Sequence, residues 1–293
     1  MRFLEAALER ALGKARVSVG QAAVVTGGSI HEARRLTTSE GEFFAKWSAR
    51  GPADIFLREA EGLEALRSAA SEIAVPRVIA AAASRGDDPA FLIIEYLEPA
   101  GRGKVPDDEK LGRGLAAIHR TGAEKFGFDS PTYCGLTRQE NRWRHSWVEF
   151  FRDQRLRPLV DTLSRDRGLP AADQRLYERL MARLPDLLPP PGAPASLIHG
   201  DLWSGNVLFG ATGPALVDPA CAYADREMEF GITTLFGGLS PRAFRAYEEA
   251  WPLPAGWKER NPLYQLYHLL NHAVLFGGHY ADDARRIATR YVG

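Results

Sequence analysis

A polar loop held between two apolar runs is the feature that most constrains how this chain folds. The loop is HGDLWSGN (199–206), and the runs LI and VLF on either side are typical of short buried strands. A chain that leaves the core and returns at once must hold such a loop in a defined place. We therefore expect the loop to bring Asp201 and Asn206 into one cleft.

The spacing within this loop matches the catalytic plan of phosphoryl transfer. The pattern is His-x-Asp-x4-Asn, and Asp218 follows twelve residues after Asn206, where it ends the apolar run of ALVDPA. Asp201 would accept the proton of an attacking hydroxyl or orient that hydroxyl. Asn206 and Asp218 would supply the hard oxygen ligands that Mg²⁺ prefers beside ATP. The alternative is a polar loop in which Asp and Asn serve only to form turns.

A kinase also needs a cation near the phosphates, and Lys46 is the candidate. Alternation in the strand predicted at 41–48 places Phe44 and Lys46 on one face. In the helix predicted at 53–70, Glu59 lies within the apolar stripe, and a buried carboxylate is costly unless it is paired. The stripe consists of Phe56, Ala60, Leu63 and Leu66. We therefore predict a Lys46–Glu59 ion pair, the alternative being a surface lysine on an edge strand.

Two further segments are candidates for contact with ATP. Gly27, Gly28 and Ser29 lie in TGGS between two predicted strands, where backbone N–H groups could meet phosphate. The same segment is equally typical of a hairpin turn. The run FLIIEYLEP is expected to lead from the last strand of a sheet to a hinge, where main-chain groups near Glu95 and Leu97 would contact adenine. This last prediction depends on position alone.

The distribution of apolar residues predicts an α+β fold with two lobes. Residues 1–97 are expected to form a small β-rich ATP-binding lobe, and residues 98–293 a larger, mostly helical catalytic and substrate-binding lobe. Helical spacing in the first residues predicts an N-terminal amphipathic helix. Strands are predicted at 18–25, 30–38, 41–48, 76–84, 90–97, 196–199 and 206–217. Further helices are predicted at 53–70, 107–121, 143–160, 171–184, 225–236, 241–250 and 260–279.

Composition and charge exclude several classes of protein. The chain carries 37 basic and 37 acidic side chains, so its net charge of zero gives no reason to expect a nucleic acid or membrane partner. No secretory signal and no membrane span is evident, and two cysteines form no disulfide framework, so we expect a cytoplasmic protein. The segment HLLNH (268–272) has the histidine spacing of zinc sites but lacks the glutamate and a third ligand, so zinc is not predicted.

Taken together, these motifs resemble those of the fructosamine kinase, or ketosamine kinase, family, which is related to aminoglycoside and choline kinases within the protein-kinase-like fold. The resemblance spans most of the chain and includes REAEGLEAL, IHGDLWSGNVLF, VDPACAYADREMEFGITTLFGG and NPLYQLYHLLNHAVLFGGHY. It implies ATP-dependent phosphorylation of the C3 hydroxyl of a ketosamine, after which the unstable adduct releases its amine. Fructosamine and ribulosamine adducts are the implied substrates, and ribulosamine or erythrulosamine adducts are expected to be preferred.

The resemblance implies the same roles for the loop residues, the lysine and the glutamate. It also implies residues that would bind the sugar accepting the phosphoryl group. Trp203 would offer an aromatic face to the open-chain sugar or its protonated amine, an attraction of roughly 0.5–2 kcal/mol. The alternative for Trp203 is packing beneath the loop. His268, Asn271 and His272 could line the sugar pocket, or could equally serve as structural hydrogen-bonding groups. The expected partner is a small ketosamine, free or attached to protein, and a monomeric enzyme is expected.

Two positions depart from the pattern of the family. Asp225 stands where a histidine is common, and Glu229 where an aspartate is common. If this segment helps to shape the substrate pocket, we expect a difference in specificity.

Two other functions stay open. One is a kinase of the same fold that acts on an aminoglycoside, choline or homoserine, and an aminoglycoside pocket would be lined with acidic groups that hold several ammonium groups. The candidate acids are Glu248, Glu249, Asp282 and Asp283, which are equally typical of solvated helix faces. The other is a nucleotide-binding pseudokinase, although the five expected catalytic residues are all present.

Overall fold

The structure is a computed structural model that describes residues 2–24, 31–101, 106–189 and 194–292. Its N-terminal part is built on an antiparallel sheet. The elements of this part are α1 (Arg2–Leu12), β1 (Val19–Val24), β2 (Glu32–Thr38), β3 (Gly41–Ser48), α2 (Ile55–Ala69), β4 (Val78–Ala82) and β5 (Ala90–Glu95). The five strands lie in the order β1-β2-β3-β5-β4.

The interior strand β5 is buried on both faces, which explains its uninterrupted apolar sequence. Successive side chains of a strand point to opposite faces. Accordingly, Phe91 and Ile93 pack in the cluster that contains the buried side of α1, whereas Leu92 and Ile94 pack in the cluster that contains α2. The amphipathic helix predicted at the N-terminus is confirmed by α1. Its buried residues are Leu4, Ala7 and Leu8.

The remainder of the described chain is mostly helical. Its helices are α3 (Asp108–His119), α4 (Trp147–Phe151), α5 (Arg157–Arg167), α6 (Ala171–Leu187), α7 (Glu227–Phe236), α8 (Pro241–Ala250), α9 (Trp257–Phe276) and α10 (Tyr280–Val292). Its strands are β6 (Gly122–Ala123), β7 (Thr132–Cys134), β8 (Thr137–Gln139), β9 (Ala195–Ile198), β10 (Val207–Gly210), β11 (Gly213–Leu216) and β12 (Ala222–Ala224). A π-helical segment, Arg152–Leu156, joins α4 to α5.

Two small antiparallel sheets frame the loop at 199–206. β9 is the central strand of a small sheet in the order β12-β9-β6, and β10 pairs with β11 as a hairpin. One core cluster extends from α2 through residues of β9, β10 and β11 to α3, α7 and α8. The loop therefore leaves one buried strand and enters another within the same packed region.

The predicted α+β class is confirmed, and three predicted elements need correction. The helix predicted at 143–160 begins only at Trp147 and contains the π-helical segment Arg152–Leu156. The strand predicted at 206–217 is the β10–β11 hairpin. The helix predicted at 260–279 ends earlier, at Phe276, because Gly277 and Gly278 have φ values of 69° and 68°, a left-handed conformation that interrupts the helix. The helix α10, which follows this break, was not predicted from the sequence.

The described part of the chain contains no helix that combines the length and apolar character needed to cross a membrane. The boundary between residues 97 and 98 that the sequence suggests stays a prediction.

Candidate active site

His199 fastens the loop that joins β9 to β10. Its buried ring donates from Nε2 to the Val217 carbonyl at 2.8 Å, and its Nδ1 accepts the Asp201 N–H at 3.3 Å. These two contacts together require a neutral ring with its proton on Nε2. Burial lowers the pKa of His199, which keeps the ring in this neutral form. The ring thus ties the loop to the end of β11.

Glu229 holds the main chain of the same loop from below. Its carboxylate accepts the N–H groups of His199 at 2.5 Å and of Gly200 at 3.0 Å, and His119 Nε2 lies 3.5 Å away. Burial alone would raise the Glu229 pKa, but the contact with His119 and the nearby loop hold it below its ordinary value. Glu229 therefore positions the loop, and the effect of its departure from the family pattern on specificity stays a prediction.

Gly200 allows this anchoring because its backbone conformation excludes a side chain. Its φ is +81°, and an added Cβ would collide with the carbonyl oxygen of Ala220. We expect Gly200→Ala to lower the free energy of unfolding by about 1–3 kcal/mol, measured by urea denaturation. Gly20→Ala is the matched control, because the nearest atom to an added Cβ there is 3.7 Å away. Equal stability of the two variants would contradict the expectation.

Asn206 connects Asp201 to the main chain at Asp218, and it lies in one cleft with Asp201 as the sequence predicts. Its Nδ2 donates to the Asp201 carbonyl at 2.8 Å, and lies 3.3 Å from Asp201 Oδ2 and 3.5 Å from the Asp218 carbonyl. With the nitrogen held in this way, the amide oxygen is the polar atom of Asn206 left for another ligand. Asp218 has a left-handed backbone (φ 57°), and its side chain is 49% exposed. This amide and carboxylate pair fits the hard oxygen donors that Mg²⁺ requires.

Lys46 bridges the N-terminal sheet to this cleft. Its Nζ lies 2.6 Å from Glu59 Oε2 and 2.9 Å from Asp218 Oδ1. Lys46 itself is buried, and burial alone would lower its pKa, but Asp218 and Glu59 raise it above its ordinary value. The lysine is therefore a fixed positive charge. The predicted Lys46–Glu59 contact is present in the structure, and Asp218 is a second partner that the sequence did not indicate.

The approach of α2 to the cleft depends on a small residue. Gly62 lies one turn after Glu59, and an added Cβ would be 3.2 Å from Pro219 and 3.4 Å from the sulfur of Cys221. Pro219 directly follows Asp218 in the chain. The close packing of α2 against this segment therefore brings Glu59 within reach of the lysine.

Burial and charge separate the pKa values of the acidic groups in the cleft. Burial, and then the charge of Asp218, raise the pKa of Asp201 to about 7. Burial raises the pKa of Glu59 to about 7 as well, against the effect of Lys46. By contrast, the contact with Lys46 lowers the pKa of Asp218, whose side chain is half exposed, and it outweighs the opposing effect of partial burial. At neutral pH Asp218 is a permanent anion, whereas Asp201 can accept a proton.

The proposed adenine contacts lie where β5 ends. The Glu95 N–H donates to the Arg77 carbonyl at 2.9 Å, and the Glu95 side chain accepts the Arg77 N–H at 3.0 Å. Among the hydrogen bonds of the described residues, none involves the N–H of Leu97. The Glu95 carbonyl and the Leu97 N–H are therefore the main-chain groups to consider for a base. Gly27, Gly28 and Ser29 lie outside the described residues.

The residues suggested for the acceptor side are not all brought together. Trp203 is partly buried, and its ring lies across Gly205. One ring nitrogen of His268 lies within 4.8 Å of a carboxylate oxygen of Asp201. His272 instead stacks on Phe236 at 4.7 Å between ring centroids, and its Nδ1 lies 2.8 Å from the His268 carbonyl.

Several residues near the cleft were absent from the sequence predictions. Cys134, at the end of β7, lies close to Asp201 and His268, and His119 lies under the loop. His31 packs edge-on against Phe56, and its pKa is lowered by burial and then by the charge of Lys46. No local pattern marks these residues, because each reaches the site through contacts between distant segments.

Comparison with known proteins gives a consistent result. The model of the fructosamine kinase family matches residues 3–292. A protein of Vibrio parahaemolyticus named "Probable ketoamine kinase" is 38% identical over 263 residues, which cover 89% of this chain and 88% of that protein. A solved structure of a "Putative fructosamine-3-kinase" from Thermobifida fusca is 33% identical, has a TM-score of 0.83 and covers 99% of each chain.

A more distant likeness bears on the fold alone. A thermostable mutant of an aminoglycoside phosphotransferase, in a ternary complex with ADP and hygromycin B, is 16% identical to this chain. The TM-score is 0.63, and the match covers 99% of each chain. The predicted protein-kinase-like fold is therefore confirmed.

Proposed function

The chain belongs to the fructosamine kinase family, and on that premise we propose that it transfers the terminal phosphoryl group of ATP to the C3 hydroxyl of a ketosamine. The observation that carries this proposal is the convergence of Lys46, Glu59 and Asp218 with Asp201 through Asn206. The set combines a fixed cation, a permanent anion and a carboxylate able to accept a proton. Loss of the phosphorylated sugar would then release the amine, so the biological effect would be deglycation.

In this proposal Asp201 accepts the proton of the attacking hydroxyl. Its pKa of about 7 suits that task, since a general base works best when its pKa lies near the working pH. The loop carrying Asp201 is fastened by His199 and Glu229, so the carboxylate needs little reorganisation when the acceptor arrives.

The nucleotide would bind from the opposite side of the cleft. Lys46 would neutralise phosphate oxygens, with Glu59 holding its ammonium group in place. Asn206 and Asp218 would hold Mg²⁺, which when bound supplies positive charge to the phosphates. Gly27, Gly28 and Ser29 would contribute backbone N–H groups, and Glu95 and Leu97 would contact adenine. We place the nucleotide on residues 1–97 and the acceptor on residues 98–293.

The acceptor would lie beside Asp201 within reach of Trp203 and His268. The aromatic face of Trp203 suits an open-chain sugar or a protonated amine. His268 is buried and has two ring nitrogens free for hydroxyl groups among the described residues. His272 would contact the acceptor only at the outer part of the site. We propose ribulosamine or erythrulosamine adducts, free or attached to protein, as substrates of a monomeric, cytoplasmic enzyme.

The alternative aminoglycoside pocket has little support from the acidic residues suggested for it. Asp282 and Asp283 pair with arginines on their own helix, α10. Glu248 accepts the N–H of Leu253 at 2.8 Å, which holds it at the end of α8. These acids are used at helix surfaces instead of converging on Asp201. The intact Lys46 contacts likewise speak against a pseudokinase.

The pH dependence of turnover should report the state of Asp201. Because a base must be unprotonated, we expect kcat/KM to rise as pH increases through about 7, the raised pKa of Asp201. Glu59 has a similar pKa, so the profile should also be measured in Glu59→Gln. The inflection should persist in that variant at lower overall activity. A flat profile between about pH 5.5 and 8 would contradict the assignment of Asp201 as base.

The decisive experiment measures ADP release from the purified protein with MgATP and three acceptors in parallel. These acceptors are ribuloselysine, fructoselysine and kanamycin. Turnover on the ketosamines alone supports the proposal, and the ratio between the two sets the preferred sugar. Turnover on kanamycin alone would replace it with the aminoglycoside alternative. Silence with all three, while ATP still binds, would favour the pseudokinase.

A further inference from the structure

A buried cluster of three chemically different groups includes the carboxylate of Asp201. It consists of the Cys134 sulfur at the end of β7, a carboxylate oxygen of Asp201 in the loop, and a ring nitrogen of His268 on α9. These three atoms all lie within 4.8 Å of one another. Cys134 and His268 are buried, whereas Asp201 is partly exposed, so the cluster is reached from the Asp201 side.

His268 is the unusual member of this cluster. It is 1% exposed, and neither of its ring nitrogens has a hydrogen-bond partner among the described residues. Buried polar groups in proteins nearly always have a partner, and one without it calls for an explanation such as a bound ion. Cys134 is held nearby, since Asn271 Nδ2 lies 3.3 Å from its carbonyl oxygen and 3.2 Å from its sulfur. The unpartnered nitrogen therefore faces a sulfur and a carboxylate in fixed positions.

We propose that Cys134, Asp201 and His268 form a binding site for a divalent transition metal ion of the zinc class. Thiolate, imidazole and carboxylate are the ligands that Zn²⁺ takes in proteins, with three protein ligands leaving one position open. Bond lengths of about 2.0–2.3 Å place ligand atoms roughly 3.2–3.7 Å apart, so a modest closure of the three side chains would suffice. Mg²⁺ prefers oxygen ligands and is disfavoured by the sulfur. On binding, the Cys134 thiol gives up its proton to solvent and the sulfur–metal bond forms.

The consequence for catalysis rests on the proposed function of Asp201. A metal ion bound to this carboxylate occupies the lone pair that would accept the proton of the acceptor hydroxyl. It also fills the space beside His268 where the acceptor would lie. Zn²⁺ should therefore inhibit phosphoryl transfer in competition with the ketosamine and not in competition with ATP.

The first test uses Co²⁺ as a spectroscopic substitute for Zn²⁺, added to the purified full chain without nucleotide. A sulfur-to-cobalt charge-transfer band, together with the visible bands of tetrahedral Co²⁺, is the expected result. The chain has two cysteines, and Cys221 is fully buried with its sulfur 3.5 Å from the Gly62 carbonyl. The band should be lost in Cys134→Ser and kept in Cys221→Ser. Absence of the band in the wild-type protein, or its loss only in Cys221→Ser, overturns the proposal.

A second test compares two histidines that lie one helical turn apart. His268→Gln should weaken Zn²⁺ binding at least about 10²-fold, measured by competition with a chromophoric chelator. His272→Gln should leave the affinity unchanged, because its ring stacks on Phe236. Equal affinities of wild-type protein and His268→Gln would overturn the site. Because the wild-type spectrum is itself decisive, a variant that fails to fold does not remove the test.

Activity measurements separate this inference from the proposed function. If the cobalt band appears and depends on Cys134, yet Zn²⁺ does not inhibit ADP release, the metal site stands and the role of Asp201 as base fails. If no band appears, the metal site fails whatever the kinase activity is.

Discussion

Asp201→Asn should lower kcat by about 10²–10⁴-fold while leaving ATP affinity close to the wild-type value. The amide has nearly the same shape as the carboxylate but cannot accept the proton of the attacking hydroxyl. The nucleotide contacts depend on Lys46 and Asp218, which the change does not alter. ADP release at saturating ketosamine measures the first effect, and calorimetric titration with nucleotide measures the second.

The same variant should not be less stable than the wild-type protein. Burial and the charge of Asp218 disfavour the ionised form of Asp201, so removing that charge relieves an unfavourable interaction above about pH 7. Asp186→Asn, an exposed position in α6, is the matched control and should leave both activity and stability unchanged. Retained turnover in Asp201→Asn would exclude Asp201 as the base, and loss of folded protein would make its role structural.

Lys46→Met should lower kcat/KM for ATP by about 10²–10³-fold, the usual effect of removing one electrostatic contact to a reacting group. The methionine keeps the apolar stem but loses the ammonium group that lies 2.6 Å from Glu59 and 2.9 Å from Asp218. Steady-state kinetics with varied ATP measures the loss. Lys14→Met, which removes a lysine that is 52% exposed, is the control and should change little.

The stability of Lys46→Met should depend on pH in a defined direction. Burial already raises the pKa of Glu59 to about 7, and without Lys46 the pKa should rise further. The unfolded chain releases this proton near the ordinary glutamate pKa of about 4.3. Between these values the folded protein binds more protons than the unfolded chain, so stability falls as pH rises. Urea denaturation should show that this fall in stability continues to a higher pH than in the wild-type protein. An unfolded variant at every pH would make Lys46 structural.

The local elements were largely predictable because each has its own periodic signal. The strand at 41–48 and the helix containing Glu59 are bounded by turns and carry clear apolar periods, and the structure places β3 and α2 there. The break between α9 and α10 was missed because the helix was extended through Gly277 and Gly278 to residue 279. The segment at 143–160 was predicted as one helix, but the structure begins it at Trp147 and inserts a π-helical stretch.

The candidate catalytic groups were likewise only partly predictable from the sequence. The sequence pointed to Asp201, Asn206 and Asp218 because the chemistry of phosphoryl transfer uses those residue types at short spacings in one loop and its hairpin. The structure brings the three residues together, and their catalytic roles stay a prediction. Glu229 could have been suspected from its departure from the family pattern, but its anchoring role could not. Its carboxylate binds main-chain N–H groups, which every residue except proline possesses, so no side-chain pattern at His199 predicts the contact.

By itself, the sequence determined the α+β class, most strands and helices, and the polar loop with its phosphoryl-transfer spacing. These properties depend on residues close together in the chain, whose periodicity and order can be read directly. Only the tertiary structure decided that Lys46 meets Asp218, which is 172 residues away, and that Cys134 and His268 meet Asp201. Those contacts depend on how the strands and helices pack against one another. The pKa values of the buried acids follow from the same packing, because burial and opposed charges set them.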